Sequence, residues 1–480
     1  MRILALNPPF MKKYSRQSRS PCVTKGGTFY MPYYLAYMVG ALEKNGFDVK
    51  LIDVVAKEWS REQTVEFAKE FNPQLIVIDT STPSIYNDAE VASILKDALP
   101  ETHITLVGTH PTAMPDETLA LSDKIDSLCL GEYDYTLVAL AEAIEADASL
   151  AKIKGLCYRS NNKVYKNGSR EPIKNLNELP FVSEVYKKYL NIKDYFYASL
   201  LHPQVTILTS RGCPYNCSFC NSPYKNSYRA RSVDNVLDEF EYIQREFPDV
   251  KEVMIEDETF PARKKRTLEL CAGLRKRGIK LHWSCNARVN TDYETIKAMK
   301  EAGCRLLCVG FETPTQLALD SVHKSTTKEL QLRFMDNAKK LGLLVNGCFM
   351  LGLPGDNVRI IRETVKFAKK LNPDTAQFYP LMVYPGTESY RWAKKKGYLI
   401  TEDYSKWIDN EGRHATTVSY PGLSSQELVK LCDSARREFY LRWEYIYYKI
   451  QQSLTSPSEA LRTLKSAKTF FRYLAKNIFS

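Results

Sequence analysis

Apolar strands alternating with amphipathic helices, in two runs separated by a connector, constrain the fold of this chain most. In the first run RILALNPP, DVKLIDVV, QLIVIDT, HITLVGT and DSLCLG are apolar segments of strand length. Between them lie helical patterns such as YYLAYMVGALEKNGF, which stops at Gly46, and SREQTVEFAKEF, which opens on Ser60 as an N-cap. Five such strands predict an α/β domain with a doubly wound parallel sheet over residues 1–150. Ligands of such sheets lie beyond the carboxyl ends of the strands. Those ends read Asn7-Pro8-Pro9, Asp79-Thr80-Ser81-Thr82, Gly108-Thr109-His110-Pro111 and Gly131-Glu132. They suit a ligand lying across the sheet edge, and equally suit ordinary βα loops.

Residues 151–200 read as a connector, with GLCYRSNNKVYKNG as a hairpin turning at Asn161-Asn162. From residue 204 a second run begins: VTILTS, VKEVMIED, LHWSCNA, RLLCVGFE, LLVNGCFMLG and TAQFYPL, each but the last followed by a helical pattern. Six strands are fewer than the eight of a closed (β/α)8 barrel, so residues 201–395 predict a partial (β/α)6 barrel. Residues 396–480 form a C-terminal region that becomes helical and aromatic after about residue 425. From Arg462 onward it holds five Lys or Arg and no acid, which suits either packing against the barrel or resting on an anionic membrane surface.

MRILALNPPF lacks the pattern of a signal peptide, and no window has about 18 consecutive apolar residues. A cytoplasmic location is therefore expected, and the twelve Cys predict no disulfide framework. A net charge of +11 without an RNA-binding module or zinc-finger spacing does not argue for nucleic acid as a partner. Most of the Cys read as small buried hydrophobes, including Cys304 and Cys308 in spite of their spacing.

Cys213, Cys217 and Cys220 differ. TILTSRGCPYNCSFCNSP sets them as Cys-x3-Cys-x2-Cys between a strand and a helix. Zinc sites use four ligands, commonly paired Cys-x2–4-Cys groups, and no fourth ligand is adjacent here. Three thiolates suit a 4Fe–4S cluster in which each ligates one iron and the fourth iron stays open.

This spacing, with Phe219 just before the last Cys, resembles the radical S-adenosylmethionine (SAM) superfamily, and the resemblance covers residues 204–390. It implies an open iron that chelates SAM, one-electron cleavage to a 5′-deoxyadenosyl radical, and an external electron donor of flavodoxin or ferredoxin type. It also implies SAM contacts from Glu256 and Asp257 in Glu256-Asp257-Glu258, from Arg288, from Glu312 and from the turn Gly352-Leu353-Pro354-Gly355.

A sheet domain followed by such a barrel looks like the cobalamin-binding class, in the group that includes the anaerobic magnesium-protoporphyrin monomethyl ester cyclase. Pro32-Tyr33-Tyr34-Leu35-Ala36, Gly108-Thr109-His110-Pro111-Thr112 and Gly131-Glu132-Tyr133-Asp134 carry that likeness. It implies cobalamin against Asn7, Thr80, Ser81, Thr82, Gly108, His110, Gly131 and Glu132. None of the six His stands two residues after an Asp, so the Asp-x-His-x-x-Gly cobalt-ligand motif is absent and the axial ligand stays open. The basic loop 11–29 is expected either to close over substrate or to be a flexible surface loop.

The resemblance implies methyl transfer to an unactivated carbon. The alternatives are a non-methylating reaction, such as oxidative cyclisation or rearrangement, and a cobalamin sensor or carrier with an inactive barrel. The basic tail and loop, with Phe378, Tyr379 and Tyr384 as an apolar wall, suggest a lipid, isoprenoid or other large anionic substrate.

Overall fold

The computed structural model describes residues 1–161, 163–222, 224, 227–455 and 459–464. Strands β1 (Arg2–Asn7), β2 (Asp48–Asp53), β3 (Leu75–Thr80), β4 (His103–Gly108) and β5 (Ser127–Cys129) form a parallel sheet in the order 2-1-3-4-5. All six residues of β3 are buried, as expected of a strand covered by helices on both faces. Helix Arg61–Phe71 starts where Ser60 and Gln63 close a capping box and ends on Asn72 in the left-handed region.

Strands β6 (Leu156–Ser160) and β7 (Lys163–Lys166), from the segment read as a connector, form the expected hairpin. They extend the first sheet through antiparallel pairing of β6 with β5. Asn162, at the expected turn, lies outside the described residues.

The second sheet orders its six strands 8-11-12-13-14-15, all parallel. They are β8 (Gln204–Ile207), β11 (Glu252–Ile255), β12 (His282–Ala287), β13 (Cys304–Glu312), β14 (Leu344–Leu351) and β15 (Thr375–Pro380). Strands β9 (Ser210–Arg211) and β10 (Arg229–Ala230) make a short antiparallel pair at the two ends of the Cys-bearing segment.

Alternation along the barrel strands separates an outer core from an inner lumen. On β14 and β15, Cys348, Met350, Gln377 and Tyr379 keep partial exposure while Phe349 and Phe378 are buried. Phe378 stacks on Phe349 at 5.3 Å and packs against Phe439, so it belongs to the outer core. The apolar wall expected from Phe378 and Tyr379 together is thus corrected: adjacent strand residues face opposite ways, and only Tyr379 turns inward. Cys304 and Cys308 are buried, as expected of packing residues.

The loop 11–29 is not a flexible surface loop. Tyr14, Ser15, Arg16 and Gln17 are buried, and the loop threads between the two sheets and the C-terminal region. Lys25 Nζ pairs with Asp433 at 2.7 Å, and Val23 N donates to the Gly412 carbonyl.

Candidate active site

The segment carrying Cys213, Cys217 and Cys220 is fastened at both ends by carboxylates from the end of β11. Asp257 Oδ1 accepts from Thr209 N at 2.6 Å and Ser210 N at 3.1 Å. Its Oδ2 accepts from Thr209 Oγ1 and Ser210 Oγ, both at 2.6 Å. Glu258 accepts from Gly212 N at one end and from Ser222 Oγ at the other. Gly212 has φ +91°, and a Cβ there would lie 2.5 Å from the Ser227 carbonyl oxygen, so the turn into Cys213 requires glycine.

All three thiols are free. Burial pushes the Cys213 thiol up; hydrogen bonding from Tyr215 and the charge of Arg288 oppose this, while Cys220 and Cys217 reinforce it. Arg288 Nη1 lies 3.6 Å from Cys217 Sγ, and its guanidinium sits 3.8 Å over the Tyr215 ring. Among the described residues, no three His, Cys, Asp or Glu side chains close round a single ion. Three free thiols on one loop are a donor set in which each can ligate its own iron of a cluster.

Facing this loop, Glu256 is buried, with Oε1 accepting from Asn286 Nδ2 at 3.2 Å and Arg19 Nη2 3.9 Å away. Its Oε2 has no hydrogen-bond partner among the described residues. Burial raises its pKa, and Arg19 and Asn286 oppose the rise. A buried carboxylate oxygen left open is chemically suited to an ammonium donor.

Glu312, at the end of β13, adopts φ +61° after a register shift past Gly310. It pairs with Lys324 Nζ, a buried lysine that the sequence did not single out. A Cβ on Gly310 would lie 2.7 Å from that Nζ and would push the pair aside. Lys324 lies between His323 (φ +54°) and Ser325 (φ +51°). Two left-handed non-glycine residues in three mark a strained turn. The turn meets the Cys-bearing loop where Ser218 N donates to the Val322 carbonyl at 3.1 Å, and the Phe219 ring lies 6.0 Å from Lys324 Nζ. Arg288, Gly310, Lys324 and Thr326 line one small cavity here.

The Gly352-Leu353-Pro354-Gly355 turn places both glycines at positive φ, +88° and +90°. It is closed by Asp356, a residue the motif reading missed, whose Oδ2 accepts from Gly352 N and Leu353 N. Burial pushes the Asp356 carboxyl up to about 6.

On the first sheet, Asn7 Nδ2 donates to Asp53 Oδ1 at 2.8 Å. Arg16 Nη1 donates to Asn7 Oδ1 at 2.8 Å, and Arg16 Nη2 to Asp88 Oδ1 at 2.6 Å. Gln17 donates to Asp79, whose carboxyl burial pushes up to about 7. Ser81 Oγ pairs with Tyr14 Oη at 2.9 Å, and Thr80 Oγ1 donates to the Val107 carbonyl. Loop 11–29 thus supplies partners for several of the polar strand ends.

Thr82 Oγ1 lies 3.3 Å from His110 Nδ1, while His110 Nε2 has no hydrogen-bond partner among the described residues. Burial holds the His110 imidazole down to about 4, so it is neutral at pH 7. Gly108 has φ +124°, and a Cβ would fall 2.4 Å from the Thr80 carbonyl oxygen. Gly131, at φ +68°, has open space around its Cβ position.

Glu132 is committed to the barrel. Its Oε1 accepts from Arg211 Nη1 at 2.6 Å, and its Oε2 from Arg229 Nη1 at 2.8 Å. Arg211 also pairs with Asp134 at 2.7 Å. The first domain is therefore ion-paired to β9 and β10, the roots of the Cys-bearing loop.

The Radical SAM superfamily model matches residues 207–368 and the B12 binding domain model matches residues 20–141. An uncharacterized methyltransferase of Pyrococcus horikoshii is 31% identical over 445 residues, covering 92% of this chain and 93% of that protein. The chain belongs to the B12-binding radical SAM family. The anaerobic magnesium-protoporphyrin IX monomethyl ester cyclase of Rubrivivax gelatinosus is 26% identical over 430 residues, covering 87% of this chain and 75% of its own length. The solved structure of the radical SAM methyltransferase TsrM from Kitasatospora setae, with cobalamin and a 4Fe–4S cluster bound, covers 90% of both chains. It matches with a TM-score of 0.69 at 17% identity, which shows a shared fold.

As a B12-binding radical SAM enzyme the chain takes a 4Fe–4S cluster and SAM at the barrel, and cobalamin at the first sheet. The residues present fit these groups. The barrel offers three free thiols on one loop and an open Glu256 oxygen. The first sheet offers the Gly108 turn and the open, neutral His110 nitrogen. Among the described residues no helix is long and apolar enough to cross a membrane.

Proposed function

We propose that this chain is a cobalamin-dependent methyltransferase that methylates an unactivated carbon of a lipid-like or other large substrate. The observation that carries this reading is the ion-paired junction of Glu132 and Asp134 with Arg211, which joins the B12-binding domain to the base of the Cys loop. When bound, the cluster supplies one electron for SAM cleavage and cobalamin carries the transferable methyl group.

In this reading Cys213, Cys217 and Cys220 hold the cluster, and Arg288 offsets their charge. Glu256, with Asn286, receives the SAM ammonium through its open oxygen. The cations Arg288 and Lys324 face the SAM carboxylate, Glu312 holds Lys324 in place, and Phe219 packs beside it. Gly352, Pro354 and Gly355 shape the turn that receives the adenine. Asp257 acts at one remove, by holding the loop.

Thr82, Gly108, His110 and Gly131 would border bound cobalamin, while Asn7, Thr80 and Ser81, already bonded to the strap and to neighbouring strands, would shape the site from behind. The strap 11–29 covers the space between the two sites and excludes water: Ser20 Oγ bonds both Tyr384 Oη and His414 Nε2 at 2.9 Å. The lumen side chains Met350, Cys348 and Tyr379 present a weakly polar wall to substrate. An external flavodoxin- or ferredoxin-type donor supplies the electron.

Likeness to the magnesium-protoporphyrin cyclase over 87% of the chain favours a second reading, oxidative cyclisation without methyl transfer. Turnover with methyl-deuterated SAM separates the two. A product heavier by the labelled methyl group, with S-adenosylhomocysteine formed alongside, supports methylation. A product that has lost hydrogen and gained no label overturns it.

A further inference from the structure

Helix Trp443–Thr455 packs across the amino ends of the barrel strands. Tyr445 Oη donates to the Asp374 carbonyl at 2.8 Å, and Tyr448 Oη donates to the Asp374 carboxylate, just ahead of β15. Beyond it Glu459 pairs with Arg305 of β13, and Arg462 Nη1 donates to the Ala198 carbonyl. These contacts fix the inner side of this region.

Its outer side is apolar, and none of the described residues covers it. Trp443, Tyr447, Ile450 and Leu454 are 82%, 64%, 53% and 81% exposed, and their spacing puts them on one helix face. Leu461 and Leu464, 71% and 67% exposed, carry the apolar surface onward. A contiguous exposed apolar face of this kind marks an interaction surface.

Among the described residues its border carries both signs: Glu444 is exposed beside Trp443, Lys369 pairs with Glu438, and Lys370 is exposed. Arg442 Nη1 donates to the Lys369 carbonyl, so the helix end bearing Lys369 and the exposed Lys370 lies beside Trp443. The sequence after Leu464, KSAKTFFRYLAKNIFS, adds four Lys or Arg and five aromatic or branched aliphatic residues besides Leu474, with no acid. A second copy of this chain would bring the same positive charge to the same face, and like charges oppose that pairing. An anionic lipid surface complements the charge and takes the apolar face into its headgroup layer.

We infer that this C-terminal face docks the enzyme peripherally on an anionic bilayer. No helix among the described residues can cross one, so the contact is one of lying on the surface. The inference does not depend on the reaction proposed above.

The test is co-sedimentation of the full-length protein with sealed vesicles of phosphatidylcholine alone or mixed with phosphatidylglycerol. Binding is expected to the mixed vesicles and to fall with added salt. The triple variant Trp443→Ser, Ile450→Ser, Leu454→Ser changes only exposed side chains, and its fold is checked by thermal melting. It should bind about tenfold or more weakly. The variant Lys465→Gln, Lys468→Gln, Lys476→Gln should also bind more weakly. Absence of binding by the intact chain, or unchanged binding by the triple variant, would overturn the inference. So would a dimer of the intact chain that the triple variant converts to monomer without any vesicle binding, since a second copy then covers this face.

Discussion

Replacing Arg211 by Met tests how the B12-binding domain holds the cluster loop. Arg211 is 2% exposed and pairs with Glu132 at 2.6 Å and Asp134 at 2.7 Å, carboxylates that are themselves buried. In R211M, Glu132 keeps Arg229 and the Ile173 amide. Asp134 loses both of its side-chain hydrogen bonds from Arg211. Removing one partner of a buried pair costs about 3–5 kcal/mol, because the other charge stays buried and uncompensated. That corresponds to a fall of roughly a hundredfold or more in the docked population. The assay is iron retained per chain after anaerobic reconstitution, together with the urea midpoint. R211M should lose most of its iron and unfold at lower urea. Adding D134N removes the stranded charge and should restore a good part of both. An R211M protein with wild-type iron and midpoint, or no recovery in the double variant, would refute the reasoning.

Glu256→Gln keeps the shape but removes the charge of the open oxygen. SAM affinity measured by equilibrium dialysis should fall roughly 10–100-fold, the worth of about 1.5–3 kcal/mol for a charge-assisted bond, with the cluster absorbance unchanged. Gly108→Ala places a Cβ 2.4 Å from the Thr80 carbonyl oxygen at φ +124°, so cobalamin retained through gel filtration should drop. Asp79, whose carboxyl is raised from 3.8 to about 7 by burial, binds its proton more tightly folded than unfolded. Its contribution to stability is therefore complete below about pH 4 and is lost as pH rises through 7. Asp79→Asn should stabilise the protein by a few kcal/mol at pH 8 and by almost nothing at pH 4, read from urea midpoints at the two pH values.

The two sheets were legible because each parallel strand is a short apolar run, and the three Cys do follow the first strand of the second sheet. The rest depended on pairings between distant segments. Arg211 and Glu132 meet across the domain junction, and nothing in either local sequence names the other. Lys324 reaches Glu312 only because His323 and Ser325 take up positive φ, which no motif encodes. The burial of Arg16 and Gln17 follows from Asp88 and Asp79 waiting at the sheet edge, so a basic loop that reads as solvated is in fact internal. The phase of Phe378 and Tyr379 was legible in principle, since neighbouring strand residues cannot share a face.

The most direct test of the central claim is anaerobic incubation of protein reconstituted with iron, sulfide and cobalamin, with SAM and a strong reductant, followed by mass spectrometry. 5′-Deoxyadenosine is expected from the wild type and none from Cys217→Ala. No 5′-deoxyadenosine from wild-type protein carrying a full complement of iron, or equal amounts from both proteins, would contradict it.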